Sequence, residues 1–241
     1  MSQAVISELA PTGTLRVGVN LSNFLLVTGQ GPSGDPEGVS PDMGRAIADR
    51  LGVEAAYVTF PSPGEVADAV AGNAWDIALI AAEPKRAETI AFTRAYVEIE
   101  ATYLVPAASP VRAIEDVDRP GVRIAVSNRA AYDLYLTRHL QHAELHRAQG
   151  LAATVELFVS ESMDALAGLR PALLDNARDL PGVRVLDGRF TAVQQAIGCR
   201  PGNRAAIAFL EDFVAEAKRS GLVQELIDRH GVAGRLQVAA G

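Results

Sequence analysis

A single cysteine, Cys199, occurs in the 241 residues, so no disulfide can close within the chain and no metal cage can be built from thiolates. A buried, inert thiol is the reading left for it. Blocks of like charge are also missing. The net charge is -7, with 22 basic and 29 acidic residues scattered along the chain, and this distribution lacks the basic stripe that nucleic acid or an anionic membrane would need. No apolar run reaches the roughly 18 residues of a membrane span. The opening MSQAVISELAPTGTLRVGV has neither the basic start nor the apolar centre of an export signal, so the chain as given is expected to be neither exported nor inserted. Phosphate loop, nucleophile elbow and dinucleotide glycine fingerprint are absent too. Nucleotide chemistry therefore has no support, and no cofactor is implied.

What the chain does have is material for a core. Hydrophobic residues make up 49% and charged residues 21% of it, a length and composition on the border between one large domain and two small ones. TLRVGVN alternates Leu15, Val17 and Val19 with small or polar residues after a Pro-Thr-Gly turn, which predicts a first strand. After a Gly/Pro-rich loop, SPDMGRAIADRLG predicts a helix capped by Ser40, with Pro41 at its first position and Gly52 at its end. EAAYVTF reads as a second strand. SPGEVADAVAGN repeats the helix grammar, with Ser62 and Glu65 spaced as a capping box and Gly72 at the end. WDIALIAA reads as a third strand. Strands and helices alternating at this spacing imply βαβ units and a parallel sheet. After the extended AYVEIEATYLVPA the alternation restarts with VRIAV as a strand, AYDLYLTRHLQHAEL as a helix, a short strand near His146, a helix near Val155 and MDALAG as a strand. Residues 203–230 read as two apolar-faced helices broken at Ser220-Gly221.

Several pieces taken in order carry a resemblance: TLRVGVN, GVSPDMGRAIADRLGV, DAVAGNAWDIALI, PKRAETIAFTRAY, GVRIAVSNRAAYDLYL and RPGNRAAIAFLEDFVAEAKRSGLVQELIDRHG. In that succession, over nearly the whole chain, the sequence resembles the type 3 family of bacterial extracellular solute-binding proteins that serve ABC transporters. The resemblance implies an α/β protein of two Rossmann-like lobes joined by two hinge strands, the type II periplasmic-binding-protein architecture. Lobe 1 would be residues 1–103 and 195–241, and lobe 2 residues 104–194, with hinges near Leu104 and Gln194. The ligand would sit in the cleft between the lobes, which close on it. A periplasmic location and a transporter permease as partner follow for an exported chain, and the missing leader leaves open a shortened chain or a cytosolic sensor. A monomer is expected, with a small carboxylate-bearing solute as its ligand.

The stretch DIALIAAEPKRAETIAF raises the sharpest question, because it sets Arg86 in the first turn of a helix, where the backbone dipole already favours an anion. By the resemblance, an arginine here clamps a ligand carboxylate, a two-pronged contact of about 1.5 to 3 kcal/mol. The plainer alternative is a surface pair with Glu83 or Asp76. The hydroxyl residues that relatives place before this arginine are replaced by Ala81-Ala82-Glu83-Pro84, which leaves Ala81 and Ala82 without side-chain contacts to offer. At the end of the first strand, Asn20, Asn23 and Phe24 stand where relatives carry an acid and an aromatic shelf. Phe24 can pack on a ligand, and the asparagines either bond it or form turns. In lobe 2, Ser127, Asn128, Arg129, Ala130 and Ala131 end a strand and open a helix, exposing amides to the cleft, and Arg129 is either a second cleft cation or a solvated helix start. Gln194 lies at the hinge.

Relatives that hold an α-ammonium place an Asp after the Gly of MDALAG; here Leu169 and Arg170 follow it. A buried ammonium without a carboxylate costs several kcal/mol, so an organic anion lacking the amine is expected, unless Glu98 or Glu100 of AYVEIEATY takes over. Both acids could equally face solvent along the strand. An enzyme on the same fold, like the cyclohexadienyl dehydratases, would need a tuned acid or base; Glu98, Glu100 and Glu161 are the candidates, and none forms a pair that demands chemistry. His139, His142 and His146 fall three and four residues apart, but the helix is expected to end near Ala143, so no metal site is assigned.

Overall fold

The computed structural model describes residues 2–240. The chain divides into two compact units, the first running to Glu98 and resuming at Gln194, the second comprising Ile99–Val193.

Unit 1 opens with a helix, α1 (Gln3–Leu9), capped by the Ser2 side chain, which accepts from the Val5 amide. Val5 and Leu9, one turn apart, are its buried face. This helix is absent from the sequence reading although its cap and spacing are present in the letters. Next come β1 (Thr14–Asn20), a short hairpin of β2 (Gly29–Gln30) and β3 (Pro36–Glu37), α2 (Val39–Leu51), β4 (Glu54–Phe60), α3 (Pro63–Asp68), β5 (Ile77–Ala81), α4 (Pro84–Ala87), β6 (Ala91–Phe92) and β7 (Val97–Pro106). β1 pairs in parallel with β4 on one side and β5 on the other. Leu15, Val17 and Val19 are fully buried, as the alternation predicts.

Two helix ends differ from expectation. α2 starts one residue before Ser40, with Gly38 as its cap at φ +147°. A side chain there would run into the Leu26 carbonyl, so the backbone demands glycine. Ser40 is buried instead, its hydroxyl 2.8 Å from that of Tyr96, and burial pushes the Tyr96 hydroxyl well above the ordinary range, Ser40 acting against it. α3 begins as read, with Ser62 accepting from the Glu65 amide, but ends at Asp68 rather than at Gly72. The Trp75 indole donates to the Val66 carbonyl at 2.9 Å, and Val70 bonds back to Ala67. A tertiary donor has taken the carbonyl that would have continued the helix.

Unit 2 contains β8 (Arg123–Ser127), α5 (Ala131–His139), β9 (Glu144–Ala148), α6 (Gly150–Ser160), β10 (Ala165–Leu169), α7 (Arg170–Asp179) and β11 (Val183–Val185). Its strand order is β7-β10-β8-β9, with β10, β8 and β9 parallel and β7 antiparallel to β10 and β11. The core holds Leu104, Ala125, Phe158, Met163, Leu166 and Leu173. Because Ala101–Leu104 pair with β10 and Leu104–Pro106 with β11, the chain enters this unit at Ile99, five residues before the hinge expected near Leu104.

β12 (Thr191–Cys199) carries the chain back and pairs antiparallel with β5. α8 (Arg204–Arg219) and α9 (Leu222–Arg229) follow, with a break at Ser220 and Gly221 where Gly221 takes φ +85°. β13 (Gln237–Val238) closes on Val97 and Glu98. Cys199 is fully buried, and burial pushes its thiol up to about 11. No helix among the described residues is long and apolar enough to cross a membrane.

Candidate functional site

In unit 1 every residue of β5 is buried, so the strand delivers its last residue, Ala81, to the edge of a rigid sheet. Pro84 at the first helical position turns the chain into α4, and the buried Glu83 caps it by accepting from the Lys85 amide at 2.8 Å. Lys85 reaches out to Glu88, whereas Arg86 turns in: it is 4% exposed, and its Nη1 donates to the Ala81 carbonyl at 2.9 Å. Asp76, one of the two acids that could have drawn Arg86 away, is fully buried and chelated by the guanidinium of Arg16, with Nε on one oxygen at 3.0 Å and Nη2 on the other at 2.7 Å.

Beside Arg86, the Ala82 amide donates to the Gln194 carbonyl at 2.8 Å, and the Gln194 side chain donates to Glu98 at 3.0 Å. Arg86, Ala81, Ala82, Gln194 and Glu98 thus form one continuous run of bonded groups at the carboxyl end of β5, where open α/β sheets place their ligands. The link from Gln194 to Glu98 joins residues 96 apart and has no signal in the sequence.

At the end of β1 the asparagines make turns. The Asn20 side chain accepts from the Ser22 amide and hydroxyl at 3.1 and 2.8 Å, and Asn23 accepts from the Leu25 amide at 3.2 Å. These are the local Asx contacts that favour asparagine at such positions. They hold Phe24, which is 36% exposed, with the Arg235 guanidinium 5.4 Å from its ring centre.

In unit 2, β8 ends at the buried Ser127 and α5 begins at Ala131. Between them, the Asn128 amide donates to Ala148, the Ala130 amide donates back to Ser127, and Arg129 takes φ +60°. The Arg129 amide donates at 2.7 Å to Asp133, a carboxylate in the first turn of α5 that the sequence reading passed over. Arg170 opens α7 but faces its own unit: Nε donates to Glu100 at 2.7 Å, and its other nitrogens donate to the carbonyls of Leu186 and Gly188. Glu100 also lies 3.6 Å from Arg189. Of the two strand acids, Glu100 is therefore matched by guanidinium groups within unit 2, and Glu98 is bonded to Gln194 in unit 1. Leu169 is buried at the end of β10. Glu161 caps the end of α6, exposed and remote in the chain from both.

α5 ends at His139, before the residue expected, and β9 carries His146. His139 bonds the Tyr135 carbonyl and stacks on its ring. Among the described residues no group of three or more His, Cys, Asp or Glu side chains is placed to hold a metal ion.

Comparison with known proteins follows the same outline. The family model described as bacterial extracellular solute-binding proteins, family 3, matches residues 15–233. Among solved structures, the substrate-binding protein AbpA of an amino acid ABC transporter from Streptococcus pneumoniae, bound to L-arginine, superposes with a TM-score of 0.76. It is 17% identical, and the match covers 95% of this chain and 99% of that one. A putative binding component of an ABC transporter from Wolinella succinogenes, complexed with lysine, gives 0.75 at 20% identity over 90% of this chain and 95% of that one. An ancestral amino acid-binding protein, a precursor of cyclohexadienyl dehydratase, gives 0.75 at 22% identity over 93% and 97%. No curated protein matches the sequence.

Proposed function

This chain belongs to the bacterial extracellular solute-binding proteins, family 3, and from that premise we propose that it captures a small amino-acid-like solute for an ABC transporter, with Arg86 as the anchor for the solute's carboxylate. The observation that carries this reading is the burial of Arg86 at the end of β5, with one guanidinium nitrogen fixed on the Ala81 carbonyl at 2.9 Å. A buried guanidinium fixed on the strand that precedes its helix is pre-organised, and a planar fork suits a carboxylate better than a point charge does.

In this reading Phe24 shelves the apolar part of the solute, and the Ser127–Ala131 turn of unit 2 supplies further contacts. Capture by closure is the mechanism that this reading carries. Turning a 1:99 equilibrium into 99:1 requires a preference of about 5.5 kcal/mol. The anchor supplies about 1.5 to 3 kcal/mol, so contacts from both units are needed.

Relatives of this fold are bound to arginine and to lysine, which supports an amino-acid-like solute here. The fate of an α-amine separates two kinds of ligand. Leu169 and the Glu100-bound Arg170 offer it no carboxylate in unit 2, whereas Glu98, joined through Gln194 and Ala82 to the Arg86 junction, offers one in unit 1. The test is the melting temperature of the protein against a panel pairing each L-amino acid with its deaminated acid, with dicarboxylates and aromatic acids added. A rise with amino acids assigns the amine to Glu98, and a rise with the acids alone assigns a carboxylate site without an amine clamp. The absence of a rise with every member overturns the proposal.

A further inference from the structure

We propose that Asp133 is a positioning residue for solute binding, fixing the Ser127–Ala131 turn of unit 2 in the shape that meets the solute. The inference rests on the function proposed above and adds to it a residue outside the turn itself. Asp133 is 2% exposed, and a carboxylate so buried persists only when its oxygens are matched. One oxygen accepts from the Arg129 amide at 2.7 Å, and the other accepts from Arg147 Nε at 2.9 Å. Thr137 closes the cluster: its hydroxyl stands 2.8 Å from the Asp133 carbonyl and 3.4 Å from the carboxylate, and Arg147 Nη2 donates to it at 2.8 Å.

The geometry around Arg129 gives this cluster its purpose. A residue with a Cβ resists the left-handed conformation, yet Arg129 holds φ +60°. The bond from its amide to Asp133 is what rewards that conformation. Arg147 comes from β9, whose neighbour Ala148 accepts the Asn128 amide at 2.9 Å. The turn is thereby gripped from α5 on one side and β9 on the other. If the carboxylate is removed, Arg129 is free to relax toward negative φ, carrying the amides of the turn with it. The side chain never needs to touch the solute for this to matter, because binding that depends on backbone direction is sensitive to small displacements.

The experiment compares the parent with D133L, close in size but without an acceptor, and D133N, which keeps one. In the solute-free protein, amide exchange at Arg129 and Ala130 is expected to quicken by about tenfold in D133L while the Ile124 amide is unchanged. Affinity for the solute found in the panel is expected to fall about tenfold or more in D133L and to stay within about threefold of the parent in D133N. Equal protection of Arg129 in D133L and parent overturns the inference. So does faster exchange at Arg129 with unaltered affinity. Should D133L not fold, D133A takes its place in both measurements, and equal protection of Arg129 in D133A and the parent overturns the inference. A parent that answers to no member of the panel sinks the proposed function instead, while the exchange comparison still settles what Asp133 does to the turn.

Discussion

After the end of β5 the chain buries a guanidinium, Arg86 of α4, and bonds it to the backbone carbonyl of Ala81, the last residue of that strand. At the end of β8, the corresponding junction of unit 2, it buries a carboxylate, Asp133, and sets a guanidinium on it at 2.9 Å. Arg86 places one guanidinium nitrogen on a backbone carbonyl, whereas Asp133 takes a backbone amide on one oxygen and Arg147 on the other. The second arrangement holds a backbone in an unfavourable conformation, Arg129 at φ +60°; the first, in the function proposed above, presents a planar fork to a carboxylate. Two units built from similar βαβ parts have thus put their buried charge to different uses.

The units also differ in what fills them, and the largest expected effect tests whether each stands alone. Trp75 is fully buried, packs among Val66, Ala78, Ile80 and Ile90, and lies against Gly18. Trp75→Ala is expected to cost about 3 to 5 kcal/mol and to split denaturant unfolding into two steps, with the amides of β8 in unit 2 keeping their protection. Loss of that protection together with unit 1 would show a single cooperative core. A smaller effect is expected from Gly198→Ala, where the new Cβ would meet Ile90 at 2.5 Å and Phe92 at 3.1 Å; overpacking there should lower unit 1 stability by about 1 to 3 kcal/mol.

In unit 2, Asp118 accepts the amides of Gln141, His142 and Ala143 at 2.8 to 2.9 Å. Partial burial works to raise its carboxyl, but these bonds outweigh it and hold the group below the ordinary 3.8. A depressed carboxylate adds stability that is complete above its unfolded value and lost as pH falls through the folded one. Asp118→Ala should therefore cost unit 2 about 1 kcal/mol near neutral pH, and the difference from the parent should vanish in acid below the carboxylate range. A gap that persists there would mean the side chain acts by packing. The smallest effect belongs to the surface pair of Arg50 and Glu216, 42% and 45% exposed. Arg50 holds Glu216 below its ordinary range, yet Glu216→Gln should leave the melting temperature unchanged at moderate salt.

Much of this architecture is legible in the chain. The period-2 run of β1 and the glycine that ends α2 are local statements, and Gly52 takes the left-handed conformation its position requires. The failures come where a distant residue intervenes. Ser40 misleads because Tyr96, 56 residues on, claims its hydroxyl. Gly72 misleads because the Trp75 indole ends α3 early. Arg170 stands in the letters only as the residue after Leu169, and nothing there shows that Glu100, 70 residues away, holds it. Asp133 looks like an ordinary acid of a first helical turn, and only the approach of Arg147 from β9 makes it a clamp. The position of Arg86 could be read from Glu-Pro-Lys-Arg after a buried strand, but its turn inward toward Ala81 could not.

The most direct measurement of the central claim is calorimetric titration of the solute identified by the panel into the parent, Arg86→Lys and Arg86→Ala. With Arg86 as the carboxylate anchor, both variants should bind at least about tenfold more weakly, since each removes a contact of about 1.5 kcal/mol or more and lysine cannot reproduce the fork. Binding by Arg86→Ala within a few fold of the parent would contradict the account and move the anchor elsewhere.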